Sequence, residues 1–93
     1  MPVAEVSIVP IGVGPSISKY VKKAIEVFKK YDLKVETCAM GTILEGELDE
    51  IIKAYKDAHE TVLSDTVRIL STLKIDDRTD KENTIERKLN AIK

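Results

Sequence analysis

LKVETCAMGTILEGE, residues 33–47, is rich in β-branched and apolar side chains and is interrupted at Met40 and Gly41. That pattern predicts two strands joined as a hairpin. Upstream, Ile17, Tyr20, Val21, Ala24, Ile25, Phe28 and Tyr31 recur at helical spacing with lysines between them. They predict an amphipathic helix of about four turns that ends at Asp32, with Ser16 standing where an N-cap belongs. Downstream, Leu48, Ile51, Ile52, Tyr55, Ala58, His59, Val62 and Leu63 form a second stripe, with Asp49 and Glu50 near its start. The macrodipole favours negative charge there, so a second helix is expected over 48–64.

The outer segments complete the order. In VAEVSIV, residues 3–9, Ala4, Val6 and Ile8 alternate with Glu5 and Ser7, the period of a strand, and Pro10, Gly12, Gly14 and Pro15 are expected to close it. TVRILSTLKI, residues 66–75, reads as a fourth strand; Ile85, Leu89 and Ile92 mark a short third helix after the charged turn DDRTDKEN. The order βαββαβ followed by α is the split βαβ arrangement. It predicts an α+β, ferredoxin-like fold: an antiparallel four-stranded sheet with two helices on one face plus a C-terminal helix. No linker or repeat interrupts residues 1–93, which are expected to form a single domain. The fourth strand carries Val67, Ile69, Leu73 and Ile75 on one side and Leu70 among polar residues on the other. Both sheet faces therefore read as at least half buried, and another copy of the chain is the expected cover for the open one.

Composition removes whole classes of function. With no Trp and one Phe among 93 residues, the core must be aliphatic. A net charge of −1 lacks the positive field that phosphate backbones require, so nucleic acid is not an expected partner. No apolar run approaches a membrane span, and no membrane partner is expected. A single cysteine, Cys38, supplies neither a disulfide nor a cysteine-rich metal cage and suits a reducing, cytoplasmic home. It is expected to be a buried, inert thiol.

Activities known on this architecture fail one by one. The central strands carry no aromatic residues to stack bases. The first loop, PIGVGPS, has neither a CxxC pair for a heavy metal nor an arginine for an acylphosphatase-like site. Gly12 and Gly14 lack the third glycine of a dinucleotide fingerprint and read as turn residues. His59 has no second histidine or clustered carboxylates, so no metal site and no cofactor are expected, and a hydrogen-bonded structural role is favoured. What remains is polar groups on strands: Glu5, Ser7, Glu36, Thr37, Thr42, Glu45, Ser71 and Thr72. Covered by a second subunit, such groups must pair with each other or with a ligand. No nucleophile stands with a base, so binding without turnover is expected and no catalytic residue is named.

The segments EVSIVPIGVG, PSISKYV, MGTILEG and KIDDRTDK resemble the small YkoF-like thiamine-binding protein family. The matching positions are Ser7, Pro10, Gly12, Ser16, Met40, Gly41, Thr42, Glu45, Gly46, Lys74 and Arg78. The resemblance implies a ferredoxin-like sandwich that forms homodimers or homotetramers and binds thiamine or its hydroxymethylpyrimidine portion without known chemistry. An aminopyrimidine offers a basic ring nitrogen and an exocyclic donor, which suit a carboxylate and hydroxyls. Glu45 or Glu5 is the expected carboxylate, Ser7, Thr37 and Thr42 the hydroxyl contacts, and Met40 a cover for the ring face. The alternative is an oligomeric interaction or regulatory module with no thiamine ligand.

Overall fold

The N-terminal alternation becomes β1 (Val3–Ile11) in the computed structural model, which describes residues 1–93. It is followed by α1 (Ser18–Phe28), β2 (Lys34–Cys38), β3 (Gly41–Glu45), α2 (Leu48–Leu63), β4 (Arg68–Asp76) and α3 (Ile85–Ala91). The strands lie in the order β2-β3-β1-β4, all antiparallel, which is the ferredoxin-like sheet. Ala4, Val6 and Ile8 of β1 and Leu44 of β3 face the helices and pack against Phe28, Ile51, Ala54, Ala58 and Val62. Ala54 and Ala58 are fully buried, and their small side chains let α2 sit close to the sheet. Each large aliphatic side chain in this layer contributes about 1.5–3 kcal/mol by leaving water.

Local chemistry shifts several boundaries. Pro10 does not close β1 but lies inside it, opposite Ile69 of β4. A proline is tolerated there because its nitrogen faces the side on which β1 has no partner strand. Ser16 does not cap α1: Ile17 occupies the N-cap without a side-chain hydrogen bond. The helix stops at Phe28 rather than Asp32, and Tyr31 keeps its place against the core from a turn, its hydroxyl donating to Asp57 Oδ2 at 2.7 Å. Val67 precedes β4 and is almost fully exposed. Cys38 is exposed rather than buried, because it ends the edge strand β2 beside the Ala39–Met40 turn.

Two glycines of the hairpin have specific neighbours. A Cβ on Gly46 would fall 2.5 Å from Leu33 Cδ2 and 3.2 Å from the Asp32 carbonyl, so a larger residue there would require the Leu33 side chain to turn away and the chain entering β2 to give by a few tenths of an ångström. A Cβ on Gly41 would lie 3.3 Å from Glu5 Cγ, and the bare glycine gives the Glu5 stem room across β3. Gly12 and Gly14 carry φ values of 86° and 95°, the left-handed conformation for which glycine is suited.

The side of the sheet away from α1 and α2 is only partly apolar. Ile43, Val9, Ile11 and Leu70 share it with Lys34, Glu36, Glu5, Lys74, Arg68 and Asp76, as the register dictates. α3 closes one end of this face. Thr84 caps it by accepting from the Arg87 N–H at 3.0 Å, Glu45 Oε1 accepts from the Ile85 N–H at 2.6 Å, and Lys88 pairs with Asp76. Of the expected apolar stripe only Ile85 is buried; Leu89 and Ile92 are exposed. No helix is long and apolar enough to cross a membrane.

Candidate functional site

Unequal strand pairing opens a largely apolar hollow in the sheet. β1 pairs with β3 only from Val3–Glu45 to Val6–Thr42, whereas its pairing with β4 continues to Ile11–Arg68. Beyond Val6 the sheet therefore has a notch where the β2–β3 hairpin turns back and β1 runs on. α1 roofs it. The resulting cleft, about 210 Å³, is walled by Ile17, Val21, Ala24, Ile25 and Phe28 from the helix side, by Val6 to Val9 of β1, and by Thr37 to Thr42 of the hairpin.

The notch exposes backbone as well as side chains. Gly46 N–H donates to the Pro2 carbonyl at 3.3 Å, which fixes the alternation of the β1–β3 ladder. Even-numbered residues of β1 point their amide and carbonyl toward β3, and odd-numbered ones toward β4. Past Val6 there is no β3 residue to receive them. The N–H and C=O of Ile8 thus face the cleft as a donor and acceptor side by side.

Of the six residues expected at a site, Ser7, Thr37, Met40 and Thr42 line this cleft. Thr42 is nearly buried on the helix side of β3, and its hydroxyl is not sealed away without a partner. Met40 stands at the hairpin tip and is almost fully exposed. Glu5 lies on the other side of the sheet, beside Gly41, with Lys74 Nζ at 3.4 Å. Glu45 sits four residues along β3 from Gly41, about 13 Å at the rise of a strand, and its carboxylate holds the start of α3. No charged side chain lines the cleft. Sequence reasoning missed the Ile8 backbone and the α1 wall. Pro10 was the available signal, since a proline inside a strand announces an unpaired edge.

Elsewhere the polar groups serve structure. Ser71 Oγ lies 2.7 Å from both Tyr55 Oη and His59 Nδ1, tying α2 to β4. His59 is therefore hydrogen-bonded and part-buried, as expected. The Asp57 carboxylate accepting from Tyr31 raises that phenol above its ordinary 10.0. Arg78 and Asp80 form a two-point ion pair, with bonds of 2.7 and 2.6 Å. The pair holds the Asp80 carboxyl below its usual range and the guanidinium above its own. No three His, Cys, Asp or Glu side chains come together as a metal site.

Comparison with known proteins extends over the whole chain. UPF0045 protein MJ1052 of Methanocaldococcus jannaschii is 77% identical over 90 residues, spanning 97% of this chain and 90% of the relative. UPF0045 protein YqgV of Bacillus subtilis is 33% identical over 98 residues, spanning 99% of this chain and 94% of the relative. The crystal structure of MJ1052 superposes with a TM-score of 0.96 at 76% identity, covering 98% of this chain and 94% of that one. A Thermotoga maritima structure at 24% identity shares the fold alone, with a TM-score of 0.84 over 99% of this chain and 98% of its own. Residues 4–93 match the family described as thiamine-binding protein, and the chain belongs to that family.

Proposed function

We propose that the chain binds thiamine, or its hydroxymethylpyrimidine portion, by seating the pyrimidine ring in the cleft beneath α1, without chemical turnover. The carrying observation is the pairing of apolar walls with the unpaired Ile8 backbone edge. An aminopyrimidine presents a ring-nitrogen acceptor next to an exocyclic N–H donor, the complement of a strand edge. Size agrees: a cavity of about 150 Å³ holds a benzene ring, so 210 Å³ suits one substituted six-membered ring rather than a two-ring ligand. Thr37 and Thr42 supply hydroxyls from the helix side, Ser7 supplies one where the notch opens toward the other face, and Met40 covers the mouth.

Charge supports the same orientation. An uncharged lining disfavours burying a cation, so the thiazolium stays outside the cleft; Glu5, the expected carboxylate, stands beside Gly41 on the other face of the sheet and is paired with Lys74, and Glu45 remains with α3. The absence of any acid, base or amine from the cleft lining favours recognition over catalysis. The working assembly is a homodimer or homotetramer, supported by the exposure of Leu70 and Ile11 on the open sheet face. The exposed thiol of Cys38 is compatible with a reducing, cytoplasmic setting.

Titration calorimetry with hydroxymethylpyrimidine, thiamine and thiamine phosphates tests the reading. Saturable heat of similar strength is expected for the first two, with little further change on phosphorylation. Thr42→Val is expected to weaken binding about tenfold, the worth of one hydrogen bond, with an unchanged circular dichroism spectrum. Absence of saturable heat at millimolar ligand overturns the proposal.

A further inference from the structure

Two of the chain's three sulfur atoms stand at the cleft, on either side of Ala39 in the β2–β3 turn. Cys38 and Met40 both line it and both are exposed. Cys38 is the only cysteine, so its thiol has no partner within the chain.

Register fixes what lies next to that thiol. Thr37 stands opposite Thr42, and Cys38 stands opposite Gly41. Gly41 brings no side chain across the hairpin, and the gap above it is bounded by the Val6 carbonyl and the Glu5 stem. β1 has no β3 partner beyond Val6, so the space beside Cys38 continues into the notch. A group added to the sulfur has this gap to occupy, at the same mouth that Met40 covers.

A second observation, independent of the thiol, points to an occupant of the cleft. Thr42 is 5% exposed, yet its hydroxyl bonds to no group of the chain and is not sealed off from the cleft it lines. A hydroxyl withdrawn from water and left without a partner is unfavourable, and an entering polar group relieves it.

We infer that Cys38 is a modification site through which small disulfides close the cleft. The inference rests on the ligand reading above and adds its regulation. The Cys38 thiolate attacks one sulfur of the reagent. The reagent's S–S bond breaks as the bond to Cys38 forms, and the other half leaves as a thiolate. A free thiol in excess reverses the step with the same balance. Attack requires an accessible thiol, which the end of an edge strand supplies. No charged side chain lines the cleft to repel a reagent of either sign. The attached half then stands at the mouth, in the way of a ring moving toward Thr42 and the Ile8 backbone.

The test caps wild-type protein with cystamine, confirms one adduct by mass, and titrates hydroxymethylpyrimidine into capped and untreated samples by calorimetry. Capping is expected to weaken binding about tenfold with an unchanged circular dichroism spectrum, and dithiothreitol is expected to restore it. Exclusion is reciprocal, so saturating hydroxymethylpyrimidine is expected to slow capping about tenfold as well. Cys38→Ser is expected to bind like wild type and to be indifferent to cystamine. In that background Lys56→Cys moves the adduct to an exposed position on α2 outside the cleft, and binding is expected to stay unchanged. Capped protein that binds as tightly as untreated protein, a capping rate that the pyrimidine does not alter, or an equal loss from the adduct at position 56 overturns this inference alone. Untreated protein without saturable heat overturns the ligand reading, and this inference with it.

Discussion

Glu45 shows how one side chain's task depends on a distant segment. Its carboxylate accepts from the Ile85 N–H, a residue forty positions later, where the start of α3 leaves amides without helical partners. A charge-assisted bond of this kind is worth about 1.5–3 kcal/mol, and Thr84 still caps the same turn. Glu45→Ala is therefore expected to lower stability by about 1–2 kcal/mol in urea titration and to leave calorimetric binding at the cleft unchanged. Alternation placed Glu45 on a strand face with other acids, which made it look like a ligand group. Nothing local to GTILEGE shows that α3 folds back onto it. Thr37, Met40 and Thr42 fall together beside the cleft because a hairpin turn gathers its own neighbours; the Ile8 backbone was not legible, because side-chain patterns say nothing about which amides lack partners.

At the level of elements, helix termini explain most of the differences from expectation. Periodicity located all three helices, but α1 starts at Ser18, two residues after Ser16, whose hydroxyl lies 3.5 Å from Ser18 Oγ and caps no backbone amide. α2 begins at Glu47, an extended residue whose side chain makes no cap bond, with Glu50 three positions on. Glu47→Ser creates a Ser-Leu-Asp-Glu capping box and is expected to raise stability by about 0.5–1 kcal/mol, read as a higher urea midpoint. The contact between the end of α1 and α2 has its own pH signature. Asp57 favours the neutral Tyr31 hydroxyl, so the folded phenol titrates above 10.0. The stabilisation is complete below the unfolded value and is lost as pH rises through the folded one. The stability difference between wild type and Tyr31→Phe is accordingly expected to be steady through pH 8–9 and to shrink above about pH 10.

Over the whole molecule, shape and core size bear on how the chain is stabilised. The radius of gyration is 13.8 Å, against about 12 Å for a compact chain of this length. The long axis of 42 Å agrees with a β1–β4 ribbon that outruns the hairpin at one end and with α3 at the other. Only 18 of 93 residues are buried, so little apolar surface is hidden by one chain alone. The topology was legible because each element announces its own period. The unequal strand lengths were not, since where pairing stops depends on the neighbouring strand. A core this small makes stability depend on association and on ligand in separable ways. For a homodimer, each tenfold rise in protein concentration adds about 1.4 kcal/mol per dimer and raises the melting temperature by several degrees. Saturating pyrimidine ligand, at about one hundred times its dissociation constant, adds about 2.7 kcal/mol per bound site at any protein concentration. Differential scanning fluorimetry across both series is expected to show two additive shifts. Thr42→Val should reduce the ligand series alone, because Thr42 lines the cleft on the helix side of the sheet, away from the exposed Ile11 and Leu70 of the other face.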